Sequence, residues 1–255
     1  MRTVVVGASS GLGRCIGTGL AATGATVALL ARRLDRLEAA AAEAGREAVA
    51  IACDVTDPVS CSAAVARAVE VMGGIDGLVY TPAIGPLRRL AETDAETWRR
   101  VFDTNVIGAS LITAAALPHL GASSGTAVYL SSVSAGHTPP WPGLGAYAVS
   151  KAALDKLVEA WRVEHPTIGF TRLTVGDCAG GPGDATTGFA SDWDPELTAE
   201  LMPLWVERGY MTGSLMDVGE LVTVVDQVLR SDPSVCIPVA SVTPRPAARV
   251  DEPQR

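Results

Sequence analysis

Tyr147 and Lys151 stand four residues apart in Gly145-Ala-Tyr-Ala-Val-Ser-Lys-Ala-Ala-Leu154. The stretch is rich in helix formers, and on a helix residues four apart share one face. A phenol with an ordinary pKa of roughly 10 is a poor acid or base near neutral pH. An ammonium held beside it favours the phenolate and lowers that pKa by roughly 1 to 3 units, towards the range where proton transfer is efficient. On its own the pair equally describes a solvated helix face. Its surroundings decide between the two.

Near the start, Val4-Val-Val-Gly7-Ala-Ser-Ser-Gly11-Leu-Gly13 places three glycines between a first strand and a first helix. Glycines there permit a tight turn and a close backbone approach, and the helix N-terminus offers free N–H groups and a positive dipole to a pyrophosphate. The Gly-x-x-x-Gly-x-Gly spacing differs from the commoner Gly-x-Gly-x-x-Gly, and no Gly-Lys-Ser/Thr follows, which disfavours a nucleoside triphosphatase. The second strand ends in Ala31-Arg32-Arg33. An acid at this point suits the ribose 2′-hydroxyl of NAD, whereas cations suit the 2′-phosphate of NADP. Arg32 and Arg33 therefore point to NADP over NAD, against the alternative of two solvated residues before a helix.

These residues need a frame. β-Branched runs at Thr3–Val6, Thr26–Leu30, Val49–Ala52, Leu78–Tyr80, Thr126–Leu130, Phe170–Val175 and Val235–Val239 read as strands. Most lack polar alternation, as strands buried on both faces of a parallel sheet do. Helices are expected at Gly11–Thr23, Leu34–Ala44, Pro58–Met72, Ala95–Leu117, Gly145–Glu164 and Asp217–Leu229, with a shorter one at Glu196–Tyr210. Asp57-Pro58 suits an N-cap followed by Pro at N1, and Gly24 and Gly73 suit helix ends. The alternation predicts an α/β fold: a single doubly wound domain over residues 1–243 with about seven mostly parallel strands and right-handed crossovers. A Gly-, Asp- and Thr-rich stretch within about 176–216 breaks the rhythm and reads as a lid. Residues 244–255 read as a flexible tail.

Composition excludes several classes. The formal net charge is −8, the wrong sign for a nucleic-acid surface. The mean hydropathy of +0.26 implies a substantial core, yet no apolar run approaches the ~20 residues of a membrane span, and the glycines from Gly7 cut short any signal-like start. The 5 cysteines are odd in number and without a Cys-x-x-Cys, and the 3 histidines have no ligand spacing. No metal site is expected. The cysteines read as core residues of a reducing compartment, and the protein as cytoplasmic.

With the glycine turn, the arginine pair, Ser131-Ser132 and Tyr147-x-x-x-Lys151 in this order, the chain resembles the short-chain dehydrogenase/reductase family from Thr3 to about Leu173. The resemblance implies one Rossmann-like domain binding NAD(P), with Gly7, Gly11 and Gly13 forming the phosphate turn and Ser9 and Ser10 beside it. It implies that Asp54, followed by Val55, contacts adenine, and that Asn105 helps hold a water-linked proton relay to the lysine. Tyr147 would be proton donor or acceptor, Lys151 would bind the nicotinamide ribose and lower the tyrosine pKa, and Ser132 would hydrogen-bond the substrate oxygen. It also implies a homodimer or homotetramer built on paired long helices. Donors aimed at an oxygen that gains negative charge suit hydride delivery to a carbonyl. Asn105 and Asp54 also have plainer readings, as a structural helix asparagine and a turn or cap residue.

The chain departs from the family pattern in three places. Tyr80-Thr81-Pro82-Ala83 stands where Asn-Asn-Ala-Gly is usual. Ser132 and Tyr147 are 15 apart rather than 13, so Gly136–Gly143 is expected to bulge. Gly176-Asp177-Cys178 replaces a Pro-Gly after the sixth strand, and Thr186 or Thr187 is left to supply a later contact. Pro139, Pro140, Trp141, Leu144, Met202, Leu204, Trp205 and Met211 describe either an apolar cleft for a ketone or secondary alcohol or the packing of the lid itself. His137, in the same loop, reads as incidental. The favoured function is an NADP(H)-dependent oxidoreductase acting on such a small carbonyl or alcohol. The alternatives are an epimerase or dehydratase on the same scaffold, and a non-catalytic dinucleotide-responsive protein.

Overall fold

A computed structural model describes residues 1–45, 48–211 and 213–245. Seven strands, β1 (Arg2–Val6), β2 (Thr26–Ala31), β3 (Ala48–Ala52), β4 (Gly77–Tyr80), β5 (Thr126–Ser132), β6 (Gly169–Val175) and β7 (Val239–Val242), form one sheet in the order β3-β2-β1-β4-β5-β6-β7. Every pairing is parallel. The order reverses between β1 and β4, so the carboxyl ends of these strands open a crevice at the switch point, where open α/β sheets bind ligands.

Both faces are covered, which explains the unbroken apolar strands. On one side, α3 (Pro58–Met72), α5 (Gly108–Ser123) and α6 (Gly145–Glu164) bury residues such as Val65, Ile112 and Leu154 against Leu78 and Tyr129. On the other, α1 (Gly11–Ala22), α2 (Leu34–Ala44) and α8 (Val218–Leu229) bury Ile16, Leu37 and Val225 against Val5 and Leu29. A third, smaller core lies where α7 (Pro195–Glu207), within the segment expected to form a lid, sets Leu201 and Trp205 against Leu87 and Leu144.

Several boundaries differ from those expected. The last strand is Val239–Val242 and not Val235–Val239. Asp232 bonds the Ser234 amide and hydroxyl and its carbonyl accepts from Val235, folding that segment into a turn. Pro238 then offers only its carbonyl, to Arg172, before pairing begins. The helix expected at Ala95–Leu117 is α4 (Ala95–Phe102), a π-helical turn (Asp103–Ile107) and α5, which runs through Pro118 to Ser123. A proline removes one helical donor. Burial of Leu120 and the bond from Ser123 Oγ to the Ile75 carbonyl (2.8 Å) hold the turn beyond it.

Within the continuous run Ala95–Ser123, an 18-residue window has a mean hydropathy of 1.4, long and apolar enough to cross a membrane by length and composition alone. In this fold Ala109, Ile112, Ala116 and Leu120 from it pack on the sheet. The lid helix spans Pro195–Glu207, earlier than Glu196–Tyr210, because Asp194 caps it from the front by accepting from the Leu197 amide (2.8 Å). Of the expected tail, 246–255 lie outside the described residues.

Candidate active site

A single cleft of about 1080 Å³ runs along the carboxyl ends of β1, β2, β4, β5 and β6, at the upper end of the roughly 300–1,000 Å³ usual for ligand pockets. At one end lies the glycine turn. Gly7 has φ +84°, a conformation open to glycine, and a Cβ on it would stand 2.5 Å from Thr81 Oγ1. A Cβ on Gly13 would stand 2.8 Å from the Gly7 carbonyl carbon and closer still to its oxygen. The first turn of α1 is thus pressed against the end of β1, with its N-terminus facing the cleft. Ser9 is buried and Ser10 is the residue before the helix; Arg33 donates from one guanidinium nitrogen to both hydroxyls, at 3.0 and 2.9 Å. Burial lowers the proton affinity of Arg33, and the positive charges of Arg36 and Arg32 lower it further. Three guanidinium groups therefore crowd one wall of the cleft, which also includes Arg32 and Arg36. Arg36 was not singled out from sequence.

Asp54 and Val55 line the next stretch. One Asp54 carboxylate oxygen accepts from the Thr56 amide (3.0 Å) and hydroxyl (2.8 Å). The amide bond, chiefly, holds its pKa below the usual carboxylate value. Asp54 is a turn-capping residue that also faces the cleft.

At the far end β5 delivers Ser132, and α6 delivers Tyr147 and Lys151. Ser132 Oγ accepts from the Ser134 amide at 3.2 Å and lies 3.0 Å from Ser134 Oγ, so it caps the short turn that leads away from the strand. Lys151 is buried, and its Nζ donates to the Leu130 carbonyl at 2.6 Å. It stands 5.9 Å from the centroid of the Tyr147 ring. Burial pushes the Tyr147 phenol up to about 12, against a hydrogen bond with Ser132 that pulls it down. Burial likewise pushes Lys151 down to about 8, opposed by Asp155. The expected lowering of the phenol by the lysine is not what these side chains alone produce. The ammonium proton is aimed at a backbone carbonyl, and desolvation of the phenol prevails.

Asn105 sits in the π-helical turn and is fully buried. Its amide nitrogen donates to the Ile84 carbonyl (2.9 Å) and Ser150 Oγ (2.8 Å), and its oxygen accepts from the Ile84 amide (2.8 Å). Both amide hydrogens are committed. The side chain fastens the cleft wall at Ile84 to α6.

The altered wall after β4 is held from within. Thr81 Oγ1 donates to the Val6 carbonyl (2.6 Å), and Tyr80 Oη donates to the Thr104 carbonyl (2.5 Å). Between Ser132 and Tyr147 the backbone does loop out, with the His137 and Thr138 amides both returning to the Val133 carbonyl (2.9 Å each). His137 is exposed, as are Pro139 and Pro140, whereas Trp141 and Leu144 face the cleft. Thr186 and Thr187 both line it, and Thr187 Cα would stand 3.2 Å from a Cβ on Gly11. The loop after β6 therefore lies across the glycine turn.

A family model described as short chain dehydrogenase matches residues 2–195. The chain belongs to the short-chain dehydrogenase family. A short chain dehydrogenase of Pseudocercospora fijiensis is 32% identical over 207 residues, covering 79% of this chain and 65% of that one. A glycine betaine reductase of Emericella nidulans is 37% identical over 63% of this chain, which spans only 13% of that protein. Among solved structures, a short-chain type dehydrogenase/reductase from Mycobacterium marinum superposes with a TM-score of 0.79 at 27% identity, covering 95% of this chain and 92% of that one. A 3-ketoacyl-(acyl-carrier-protein) reductase from Brucella melitensis, complexed with NADH, shares the fold at a TM-score of 0.78 and 24% identity, covering 94% and 96%.

In this member of the short-chain dehydrogenase family, two aromatic residues outside the sequence reading lie at the Tyr147 end of the cleft. The Phe189 ring packs edge-on against Tyr147, centroids 4.8 Å apart, in space left free by the missing side chain of Gly85. Trp193 packs on Phe189 and donates its indole N–H to the Gly85 carbonyl (2.8 Å). Trp205, 1% exposed, donates to the Pro142 carbonyl (3.0 Å). Trp205, Leu204 and Met211 thus pack the lid, while Met202 faces outward. An aromatic residue in the loop after β6 was the available signal for Phe189 and Trp193, but only the folded lid brings them to Tyr147.

Proposed function

We propose that this protein is an NADP(H)-dependent reductase or dehydrogenase that interconverts an apolar ketone and its secondary alcohol. The observation that carries the reading is the convergence of Ser132, Tyr147 and Lys151 at one end of a cleft whose other end is a glycine turn flanked by three guanidinium groups. A bound nicotinamide would supply or accept a hydride at the substrate carbon. The residues Gly7, Ser9, Ser10, Gly11 and Gly13 would hold the pyrophosphate at the N-terminus of α1. Arg32, with Arg33 and Arg36 behind it, would face a 2′-phosphate, and Asp54 and Val55 the adenine.

In the reducing direction negative charge grows on the carbonyl oxygen. Ser132 and Tyr147 donate hydrogen bonds to it, and Tyr147 gives up its proton, since a phenol near 12 remains more acidic than the alcohol being formed. Lys151 holds a positive charge beside the phenolate that results and offers its N–H groups to the nicotinamide ribose. Asn105 keeps α6 and the Ile84 backbone in register, so that these donors stay aimed. The apolar surfaces of Trp141, Leu144 and Phe189 favour a substrate with a hydrophobic body.

Replacing Tyr147 with Phe tests the reading. NADPH oxidation with a ketone that the parent protein reduces should fall by a factor of about 10² to 10⁴, while NADPH binding changes little. Turnover near the parent rate would reject the mechanism. We further propose a homodimer or homotetramer in which α5 and α6 pair with those of a second copy. The exposed apolar residues Ile107 (46% exposed), just before α5, and Val149 (46%) and Val163 (82%) on α6 support this reading, and sedimentation of a monomer at micromolar concentration would refute it.

A further inference from the structure

Lys151 and Asp155 lie one helical turn apart on the buried face of α6, at 2% and 9% exposure. Residues four apart on a helix are neighbours, and Asp155 is the charged side chain that acts on Lys151. Asp155 also receives Arg172 from β6, Nη1 to Oδ2 at 3.3 Å. The second carboxylate oxygen, Oδ1, is buried and makes no hydrogen bond of ordinary length and angle among the described residues, and the Ser131 hydroxyl on β5 acts on the same carboxylate. One buried carboxylate is therefore paired with Arg172 and stands one helical turn from the buried lysine. A carboxylate so placed contributes little to stability as an ion pair. Its neighbour is the buried lysine that ends the catalytic row.

We propose that Asp155 is a positioning residue for Lys151, its carboxylate paired with Arg172 and acting on Lys151 across one helical turn so that the ammonium stays charged and seated on the Leu130 carbonyl. The groups around Lys151 are Tyr147 and Asp155 on its own helix and the Leu130 carbonyl on β5, with Arg172 of β6 and the Ser131 hydroxyl of β5 acting on Asp155. Burial drives the lysine towards its neutral form, and Asp155 opposes this. Burial likewise drives Asp155 towards its neutral form, opposed by Ser131, Arg172 and Lys151 in turn, with Glu159 acting the other way. Asp155 thus adjusts Lys151 without touching substrate or cofactor. Arg172 limits the adjustment by drawing the same carboxylate towards the sheet.

The inference rests on Lys151 serving the proposed reduction, but its test reads the lysine directly. The chain has only two lysines, Lys151 and Lys156, so the full-length protein labelled with ¹³Cε-lysine gives two signals, assigned with Lys156→Arg. Titrating the protein without cofactor should place the Lys151 midpoint well below that of Lys156. Asp155→Asn, close to isosteric, should lower the Lys151 midpoint by about 1 unit or more, and Asp155→Glu should hold it near the parent value. Arg172→Met should raise the midpoint, since it removes a competing cation. The alkaline limb of kcat/KM for NADPH-dependent reduction should move in the same directions.

A purely structural role for the cluster would disturb the site alike in both variants and would not reverse the sign. A midpoint within 0.2 units of the parent in Asp155→Asn would overturn the proposal, as would shifts of the same sign in Asp155→Asn and Arg172→Met. Should Asp155→Asn fail to fold, a downward or absent shift in Arg172→Met overturns it alone. A protein that shows the lysine shifts but reduces no ketone would instead refute the proposed function and leave the coupling standing.

Discussion

Replacing Gly13 with Ala isolates the glycine turn. The new Cβ would stand 2.8 Å from the Gly7 carbonyl carbon and closer to the Gly7 oxygen and Thr81 Oγ1. Neither neighbour yields easily, because one is backbone and the other is fixed by its 2.6 Å bond to the Val6 carbonyl. Relief to an ordinary carbon–oxygen contact requires the first turn of α1 to move by about 1 Å, an overpacking strain of roughly 1–3 kcal/mol. Up to about 1 kcal/mol of this is offset by the better helix propensity of alanine. The net loss of about 1–2 kcal/mol corresponds to a fall in Tm of roughly 2–8 °C in a chain of this size. Cofactor binding should suffer more. Hydrogen bonds to a charged group are worth about 1.5–3 kcal/mol each, so misdirecting one N–H donor should raise the Kd for NADPH by about ten- to 150-fold. Gly17→Ala is the control, in the same helix. Its Cβ meets only Leu29 Cδ2, the free end of a side chain that can turn aside. It should lower Tm comparably and leave the Kd within about threefold. Thermal melts paired with NADPH fluorescence titrations decide the matter, and a Gly13→Ala protein that binds NADPH like its parent would refute the placement of the cofactor on this turn.

Two further outcomes are expected. Arg32→Ala should weaken NADPH by tenfold or more while leaving NADH within about threefold, as loss of a charge-assisted phosphate contact does, and equal weakening of both in steady-state KM values would reject the 2′-phosphate role. Ketone reduction needs Lys151 charged and Tyr147 protonated; as pH rises, Lys151 discharges near 8 while Tyr147 keeps its proton to about 12, so kcat/KM should decline above pH about 8, and a level profile from pH 7 to 10 would contradict the assignment.

Six of the seven strands were legible because burial on both faces of a parallel sheet leaves an uninterrupted apolar run, and the sequence contains little else that makes one. Val235–Val239 met the same local criterion and failed, since Asp232 and Pro238 settle that segment through a side-chain turn and a missing donor. Pro118 misled in the opposite direction. Its local penalty was visible, and the burial of Leu120 that outweighs it was not. Among site residues, Tyr147, Lys151, Ser132 and the glycines could be read because their chemistry depends on short spacings within single elements. Phe189, Trp193 and Arg36 act only through contacts made by the folded lid and the start of α2. Asn105 was found by its order in the chain, but its work as a fastener between Ile84 and Ser150 is a tertiary fact.

The wall at Tyr80–Ala83, which departs most from the family pattern, bears on how the cofactor is held. An asparagine would bring an amide with two donors and an acceptor to this position. Thr81 brings one hydroxyl, and that hydroxyl is already committed to the Val6 carbonyl while its side chain stands where a Cβ on Gly7 or Gly13 would have to go. Tyr80 is tied to the Thr104 carbonyl, and Pro82 has no amide hydrogen to place. The wall is thus complete without a ligand: its side-chain polar groups are paired inside the protein, and it fills the gap beneath the glycine turn by shape. A turn braced in this way is already ordered when cofactor arrives, so less binding energy is lost to fixing it. The departure from the family pattern is consequently compatible with the proposed dinucleotide site, in which the specific contacts would fall to the α1 N-terminus, the guanidinium groups and Lys151.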